Sequence, residues 1–119
     1  MNILIIEDSD LDFNLIKLKM KYAKLDKIKV DRATLLKDAL LKLTNEKYDV
    51  IITDMNLPDS YSNETFEIIY KLYPNIPIIV MTSQDEKELP RRIIGMGAKD
   101  FIFKDIDYPN VITEILKNG

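Results

Sequence analysis

The stretch VIITDMNLPD, residues 50–59, gives the clearest indication of the architecture of this chain. Three apolar β-branched residues, Val50 to Ile52, run without a polar interruption into Thr53 and Asp54. A continuous apolar run of this kind is typical of a strand buried on both faces, as in a parallel sheet. An ionised carboxylate at the exit of such a strand is costly unless a partner stabilises it. The sequence therefore predicts polar or charged groups beside Asp54.

Similar short apolar runs recur along the chain, and stretches with helical periodicity separate them. The predicted strands are residues 3–6, 28–30, 50–53, 76–81 and 101–103. The predicted helices are residues 9–24, 34–46, 63–73, 89–97 and 108–117. Strict alternation of strands and helices predicts one doubly wound α/β sandwich with right-handed crossovers around a parallel sheet.

Apolar spacing within each helix indicates which residues pack on the sheet. In helix order, the predicted core-facing residues are Leu11, Leu15, Leu18 and Tyr22; Leu36, Ala39, Leu40 and Leu43; Phe66, Ile69 and Tyr73; Ile93, Ile94 and Met96; and Val111, Ile112, Ile115 and Leu116. Thr34 is predicted to cap the second helix, and Pro109 to lie in the first turn of the fifth. Pro90 predicts that the fourth helix is short and begins near Leu89.

Composition limits the chemistry that is available. The 119 residues predict a single domain, residues 1–119, and 46% hydrophobic with 31% charged residues is ordinary for a globular protein. Histidine and cysteine are both absent, so any chemistry must use carboxylates, hydroxyls, lysines and backbone groups. A net charge of −3 argues against direct nucleic-acid binding, and no apolar run is long enough for a membrane span. We expect a cytoplasmic protein.

Polar residues follow the predicted strands at the points where the strands end. Glu7 and Asp8 follow the first strand, and Asp54 follows the third. Thr82 follows the fourth and Lys104 the fifth, so all five are expected to meet at one edge of the sheet. Three neighbouring carboxylates raise each other's pKa unless a cation such as Mg²⁺ neutralises them. A carboxylate so placed is a competent nucleophile toward phosphorus, and Lys104 can form an ion pair with Asp54.

These residues, together with GAKDFIFK at 97–104, resemble the receiver domain of two-component response regulators over the entire chain. The resemblance implies a flavodoxin-like (βα)5 three-layer sandwich whose five parallel strands have the order 2-1-3-4-5. It also implies that Asp54 accepts a phosphoryl group from the phosphohistidine of a histidine kinase or phosphotransfer protein. The implied Mg²⁺ ligands are Glu7, Asp8, Asp54 and the backbone carbonyl of Asn56.

The resemblance assigns further roles in reading out and removing the phosphoryl group. Thr82 and Lys104 are implied to contact the phosphoryl oxygens. Phe101 stands at the position of the family's aromatic switch residue, which turns inward as Thr82 moves. Asn56 and Gln84 stand where the family tunes the lifetime of the acyl phosphate. Such a protein is a signalling receiver rather than an enzyme, and it assists only its own phosphorylation and dephosphorylation.

The implied output surface is the 89–117 face, which would contact an output domain or a downstream target. Homodimerisation on phosphorylation is common in the family. Three positions depart from the family's pattern: Asp105 replaces the proline usual after Lys104, Ser62 replaces a glycine in the loop after the acceptor, and Pro90 stands where the fourth helix would begin. We expect the 59–63 loop to follow another path, in which Ser62 or Asn63 caps the third helix.

Two alternatives to the phospho-acceptor reading remain. A degenerate receiver that acts as a phosphorylation-independent interaction module is favoured by the negative charge of Asp105 beside the lysine. A Mg²⁺-dependent aspartyl phosphohydrolase is disfavoured, because Asn56 stands where such enzymes place a second aspartate, and an amide cannot transfer a proton. A nucleotide or flavin module is rejected, because the acidic stretch EDSDLD at 7–12 follows the first strand in place of a phosphate-binding loop.

Overall fold

The computed structural model describes residues 1–25, 27–60, 64–82, 88–104 and 108–118, which form a sheet with helices on both faces. The strands are β1 (Asn2–Ile6), β2 (Lys29–Ala33), β3 (Val50–Asp54), β4 (Ile78–Thr82) and β5 (Asp100–Phe103). The helices are α1 (Asp10–Tyr22), α2 (Leu36–Asn45), α3 (Glu64–Leu72), α4 (Glu88–Met96) and α5 (Tyr108–Asn118). All neighbouring strands are parallel, in the order β2-β1-β3-β4-β5. The predicted fold and strand order are confirmed.

The three central strands contribute to two hydrophobic cores, because successive side chains of a strand point to opposite faces of the sheet. Leu4, Ile51 and Val80 pack in the core beneath α2, α3 and α4. Their sequence neighbours Ile5, Ile52 and Ile79 pack in the core beneath α1 and α5. Burial on both faces explains why these strands are continuous apolar runs rather than alternating ones.

Helices α2, α3 and α5 pack largely as their apolar spacing predicts. Leu36, Ala39, Leu43, Phe66, Ile69, Ile112 and Leu116 are all buried. Leu40 and Tyr73 are partly buried against the same core as α2 and α3. Pro109 is the second residue of α5, where its missing N–H costs no helical hydrogen bond. Two predicted core-facing residues are exposed instead, Ile94 in α4 and Val111 in α5, so these two predictions are wrong.

The predicted face of α1 is also wrong. Leu11 and Tyr22 are 71% and 74% exposed, and Leu15 and Leu18 are exposed as well. The buried residues of α1 are Phe13, Ile16 and Met20. At 100° per residue these three lie nearly opposite the four predicted ones, so the helix is apolar on two faces. Helical periodicity identifies both faces but does not choose between them.

The start of α2 corrects the predicted capping by Thr34. The N-cap residue is Leu35, and its side chain makes no capping hydrogen bond. The carboxylate of Asp59, in the loop after β3, accepts hydrogen bonds from the N–H groups of Leu36 at 2.7 Å and Lys37 at 3.0 Å. Two otherwise unpaired N–H groups are therefore satisfied from a distant part of the sequence.

Helix α4 begins at Glu88, one position before the predicted start near Leu89, and contains nine residues, so the prediction of a short helix is confirmed. Pro90 lies in its first turn. The predictions for the path of the 59–63 loop, for capping by Ser62 or Asn63, and for the turn at Asp105 involve residues outside the described ones. Among the described helices, none has both the length and the apolar character needed to cross a bilayer.

Candidate functional site

Backbone hydrogen bonds fix the strand ends that carry the predicted site residues. Glu7 follows β1, and its N–H donates to the carbonyl of Ala33 at the end of β2, at 2.9 Å. Asp54 is the last residue of β3 and lies in register with Met81 of β4. Lys104 follows β5, and its N–H donates to the carbonyl of Thr82 at 2.7 Å. The sheet therefore brings the residues to one edge, as the parallel topology predicts.

The ammonium group of Lys104 is surrounded by carboxylates. It donates to Oε1 of Glu7, to Oδ2 of Asp54 at 2.7 Å, and to Oδ2 of Asp12 at 3.2 Å. The lysine side chain is only 8% exposed. Burial opposes its charged form, but the hydrogen bonds to Asp54 and Glu7 outweigh burial and raise the pKa of the ammonium above its usual range. The predicted ion pair between Lys104 and Asp54 is confirmed.

Glu7 is completely buried, and one of its oxygens has no partner among the residues that the structure describes. Burial raises the pKa of its carboxyl group to about 7; the negative charge of Asp54 adds to the rise, and the hydrogen bond from Lys104 opposes it. Oε2 of Glu7 has no hydrogen-bond partner within the described part of the chain. A buried unpaired carboxylate oxygen is costly, and a cation beside it would remove that cost.

The carboxylate of Asp54 is oriented by donors that include a backbone amide and Lys104. Oδ1 accepts from the backbone N–H of Asn56 at 3.0 Å, and Oδ2 accepts from Lys104. The residue is buried apart from a small exposed fraction. One oxygen therefore interacts with the charged lysine and the other with a neutral amide.

The three acids predicted to bind metal lie close together. Glu7, Asp8 and Asp54 each offer a carboxylate oxygen, and these atoms lie within 4.8 Å of one another. Asp8 is exposed, whereas the other two are buried. Hard oxygen ligands and the unpartnered Oε2 of Glu7 suit a small divalent cation such as Mg²⁺. The N–H of Asn56 faces Asp54, while metal binding by its carbonyl stays a prediction.

Of the residues predicted to respond to the phosphoryl group or to set its lifetime, the structure describes Thr82 and Phe101 but not Gln84. Thr82 ends β4 and is fully buried. Phe101, in β5, is partly buried against the core that contains α4, and its ring meets that of Phe103 edge-on at 5.4 Å. Gln84 lies outside the described residues, so its predicted role is untested.

Asp12 and Tyr108 are contacts of the site that the sequence did not reveal. Oδ1 of Asp12 accepts a hydrogen bond from the Tyr108 hydroxyl at 2.8 Å, while Oδ2 contacts Lys104. Burial opposes ionisation of Asp12, but the hydrogen bond from Tyr108 and the charge of Lys104 outweigh it and lower its pKa. The available signal was the position of Asp12 in the first turn of α1, beside the predicted acidic pair. An acid there is also explained by the helix dipole.

Comparison with known proteins identifies close counterparts of the fold and the sequence. Residues 3–116 match the model of the response regulator receiver domain. The swarming motility regulation protein RssB of Serratia marcescens is 30% identical over 115 residues, which are 97% of this chain and 51% of RssB. The response regulator protein PilR of Pseudomonas aeruginosa is 28% identical over 104 residues, which are 87% of this chain and 23% of PilR.

A solved structure agrees with these sequence matches. The crystal structure of a CheY-like response regulator receiver domain protein from Methanospirillum hungatei has a TM-score of 0.82 and 26% identity. The match covers 98% of this chain and 90% of that one. Against the curated relatives the coverage is lower: this chain spans about half the length of RssB and a smaller part of PilR.

Proposed function

This chain belongs to the response regulator receiver domain family, and from that membership we propose that Asp54 accepts a phosphoryl group in two-component signalling. The donor is the phosphohistidine of a histidine kinase or of a phosphotransfer protein. The observation that carries the proposal is the carboxylate of Asp54, held between Lys104 and the N–H of Asn56 beside two further acids. Positioning of the nucleophile and electrostatic stabilisation of the phosphoryl oxygens are the main requirements of phosphoryl transfer, and the strand end and Lys104 could supply both.

In the proposed reaction an Asp54 oxygen forms a bond to phosphorus while the P–N bond of the phosphohistidine breaks. The imidazole nitrogen keeps the bonding electron pair, and the product is an aspartyl phosphate. Lys104 moves from its carboxylate partners to a phosphoryl oxygen and stabilises the charge that the acids alone would repel. Thr82 donates a hydrogen bond to a second phosphoryl oxygen.

Glu7, Asp8 and Asp54 are the residues that would hold Mg²⁺, with the backbone carbonyl of Asn56 as a further ligand. When bound, the ion supplies positive charge against the crowded carboxylates and the phosphoryl oxygens. The unpartnered Oε2 of Glu7 and the raised pKa of that carboxyl group support this assignment, since both describe an acid without enough positive charge nearby.

Phosphorylation would then switch the surface formed by residues 89–117. Thr82 moves toward the phosphate, and Phe101, now only partly buried, turns inward against the core. The changed face contacts an output domain, a downstream target or a second copy of the chain. Asn56 and Gln84 set how long the acyl phosphate lasts. Residues 1–119 act as one receiver domain, and the chain itself catalyses no reaction other than its own phosphorylation and dephosphorylation.

The relatives support this assignment of partners. PilR is a response regulator, and the matched NtrC of Proteus hauseri is a DNA-binding transcriptional regulator of which this chain covers 16%. Receivers of this family therefore occur in proteins that are much longer than the receiver. We propose that nucleic-acid contact, where it occurs, belongs to such an output domain, and that the receiver acts in the cytoplasm without contacting a membrane.

Intact mass after incubation with acetyl phosphate and Mg²⁺ tests the acceptor assignment. We expect the wild type to gain one phosphoryl group, and the Asp54→Asn variant to gain none. Asp38→Asn, which removes an acid of α2 outside the pocket, is the matched control and should still gain the group. Chelation of Mg²⁺ with EDTA should abolish the gain.

Other outcomes would favour the alternatives. A wild-type chain that gains no phosphoryl group but still binds its partner would indicate a phosphorylation-independent interaction module. Repeated turnover of a small phosphate ester would indicate a phosphohydrolase. Phosphoryl gain by Asp54→Asn would refute the site.

A further inference from the structure

Among the described residues, Lys104 has three carboxylate partners, and one of them lies outside the proposed phosphoryl and metal chemistry. A lysine ammonium has three N–H donors, and Glu7, Asp54 and Asp12 each accept a hydrogen bond from it. Glu7 and Asp54 are proposed metal ligands, and Asp54 is also the acceptor. Asp12 has neither role in the function proposed above, so its contact with the lysine requires a separate explanation.

Tyr108 orients the Asp12 carboxylate through the oxygen that does not contact Lys104. Tyr108, which is buried in the first turn of α5, donates its hydroxyl to Oδ1 of Asp12 at 2.8 Å. This leaves Oδ2 facing Lys104 at 3.2 Å. The backbone N–H of Asp12 is also held, since it donates to Oγ of Ser9, the N-cap of α1, at 3.2 Å. The acid is therefore fixed by both helices that cover this face of the sheet.

We propose that Asp12, oriented by the Tyr108 hydroxyl, is a positioning residue that restrains Lys104 and slows phosphoryl transfer to Asp54. This inference rests on the proposed function, in which Lys104 must direct an N–H to a phosphoryl oxygen.

Two physical effects of Asp12 would each slow phosphoryl transfer. First, each of the three N–H donors of Lys104 already has a carboxylate acceptor, so the lysine must break one of these hydrogen bonds before it can bind a phosphoryl oxygen. The distance from the Lys104 ammonium to Asp12 is 3.2 Å, which is longer than the 2.7 Å to Asp54. The side chain of Asp12 also keeps 28% of its surface exposed, so its negative charge faces the solvent from which a phosphoryl donor approaches.

The test is the rate of phosphoryl gain from acetyl phosphate at saturating Mg²⁺ in the Asp12→Asn variant. Asparagine keeps the shape and can still accept from Tyr108, but it removes the charge that holds the lysine. We expect the rate to rise by about threefold or more, the size of one partly screened charge interaction at this range. A purely structural role for Asp12 would instead lower the rate together with the stability.

Asp10→Asn is the matched control. Asp10 lies in the same helical turn, and its side chain is 86% exposed and paired with Arg32 rather than with Lys104. The control removes one unit of negative charge near the pocket without releasing the lysine, so its rate should stay close to that of the wild type. An equal rise in both variants would show a general effect of charge and would overturn the restraint.

A double-mutant cycle tests the role of Tyr108. Tyr108→Phe should raise the rate in the wild-type background, because Asp12 loses the donor that turns it toward the lysine. In the Asp12→Asn background the same change should have no further effect, since Tyr108 acts through Asp12. Independent effects of the two substitutions would overturn the role of the tyrosine.

A second readout does not depend on phosphorylation. In ¹⁵N-detected NMR of the unphosphorylated protein, the Lys104 ammonium should give a protected signal in the wild type that exchanges faster in Asp12→Asn. An unchanged signal, or a rate that is unchanged or lower in a fully folded Asp12→Asn variant, would refute the restraint. If the NMR signals of the wild type and Asp12→Asn differ as expected but the wild type takes no phosphoryl group, the proposed function is refuted, and the restraint on transfer with it.

Discussion

Glu7 and Asp12 share the ammonium of Lys104 but ionise differently. Glu7 is fully buried, and burial raises its pKa to about 7 in spite of the lysine. Asp12 is partly exposed and receives the Tyr108 hydroxyl, which lowers its pKa against the effect of burial. Burial is the largest effect at both acids, but at Asp12 the hydrogen bond from Tyr108 and the charge of Lys104 together outweigh it. Of the two, Glu7 is therefore the acid whose protonation changes near neutral pH.

A pH dependence of stability follows for the protein without Mg²⁺. Folded Glu7 keeps a proton that the unfolded chain releases, so its contribution is complete below the ordinary value of 4.5 and is lost as pH rises through about 7. The loss is at most about 3 kcal/mol of unfolding free energy. Urea unfolding from pH 5 to 8 measures it, and the Glu7→Gln variant should lack this fall.

Saturating Mg²⁺ supplies the comparison for this experiment. If the ion binds the ionised acids of the folded state, it should reduce the fall in stability above pH 5 in the wild type and act weakly on Glu7→Gln. Equal pH profiles for the two proteins without Mg²⁺ would show that burial of Glu7 does not govern the change.

The sequence predicted most of the residues that meet at the candidate site, because strand ends are visible as breaks in apolar runs. The pairing of Lys104 with Asp54 and the closeness of Glu7 and Asp8 are both confirmed. Asp12 was missed, since an acid in the first turn of a helix needs no tertiary partner to explain it. Its hydrogen bond to Tyr108 joins residues 96 positions apart, and no local pattern predicts such a contact.

Among the elements, α1 and α2 show where periodicity and local capping rules fall short. Helix α1 is apolar on two faces, and packing against the sheet and α5 selects the one that contains Ile16. Helix α2 has the predicted buried face, but its first turn is capped from the loop after β3. Burial of Asp59 opposes its ionisation, but the N–H groups of Leu36 and Lys37 outweigh burial and lower its pKa.

The capping contact gives a prediction at the level of this helix. Asp59→Ala should lower the free energy of unfolding by about 1 kcal/mol, the usual cost of losing a capping side chain. Thr34→Ala, at the position that the sequence favours as a cap, should leave stability nearly unchanged, because Thr34 is exposed and Leu35 is the N-cap residue. The midpoint of urea unfolding measures both variants, and a larger loss for Thr34→Ala would contradict the observed cap.

Across the whole molecule, the parallel sheet determines both the fold and the location of the acidic pocket. Continuous apolar strands separated by helices predicted the fold, because only a sheet covered on both faces buries such strands. The same topology places the carboxyl ends of β1, β3, β4 and β5 at one edge, where Glu7, Asp54, Thr82 and Lys104 lie. Contacts between distant loops and helices could not be predicted this way, because they depend on how each helix packs on the folded sheet.

The central claim is that Asp54 is the residue that carries the phosphoryl group. Treating the phosphorylated protein with borohydride reduces the acyl phosphate, and tandem mass spectrometry of its peptides then identifies the modified position. We expect the reduced residue at position 54 alone, in the peptide that contains the end of β3. Modification at Asp8, Asp12 or a hydroxyl side chain, with position 54 intact, would contradict the account.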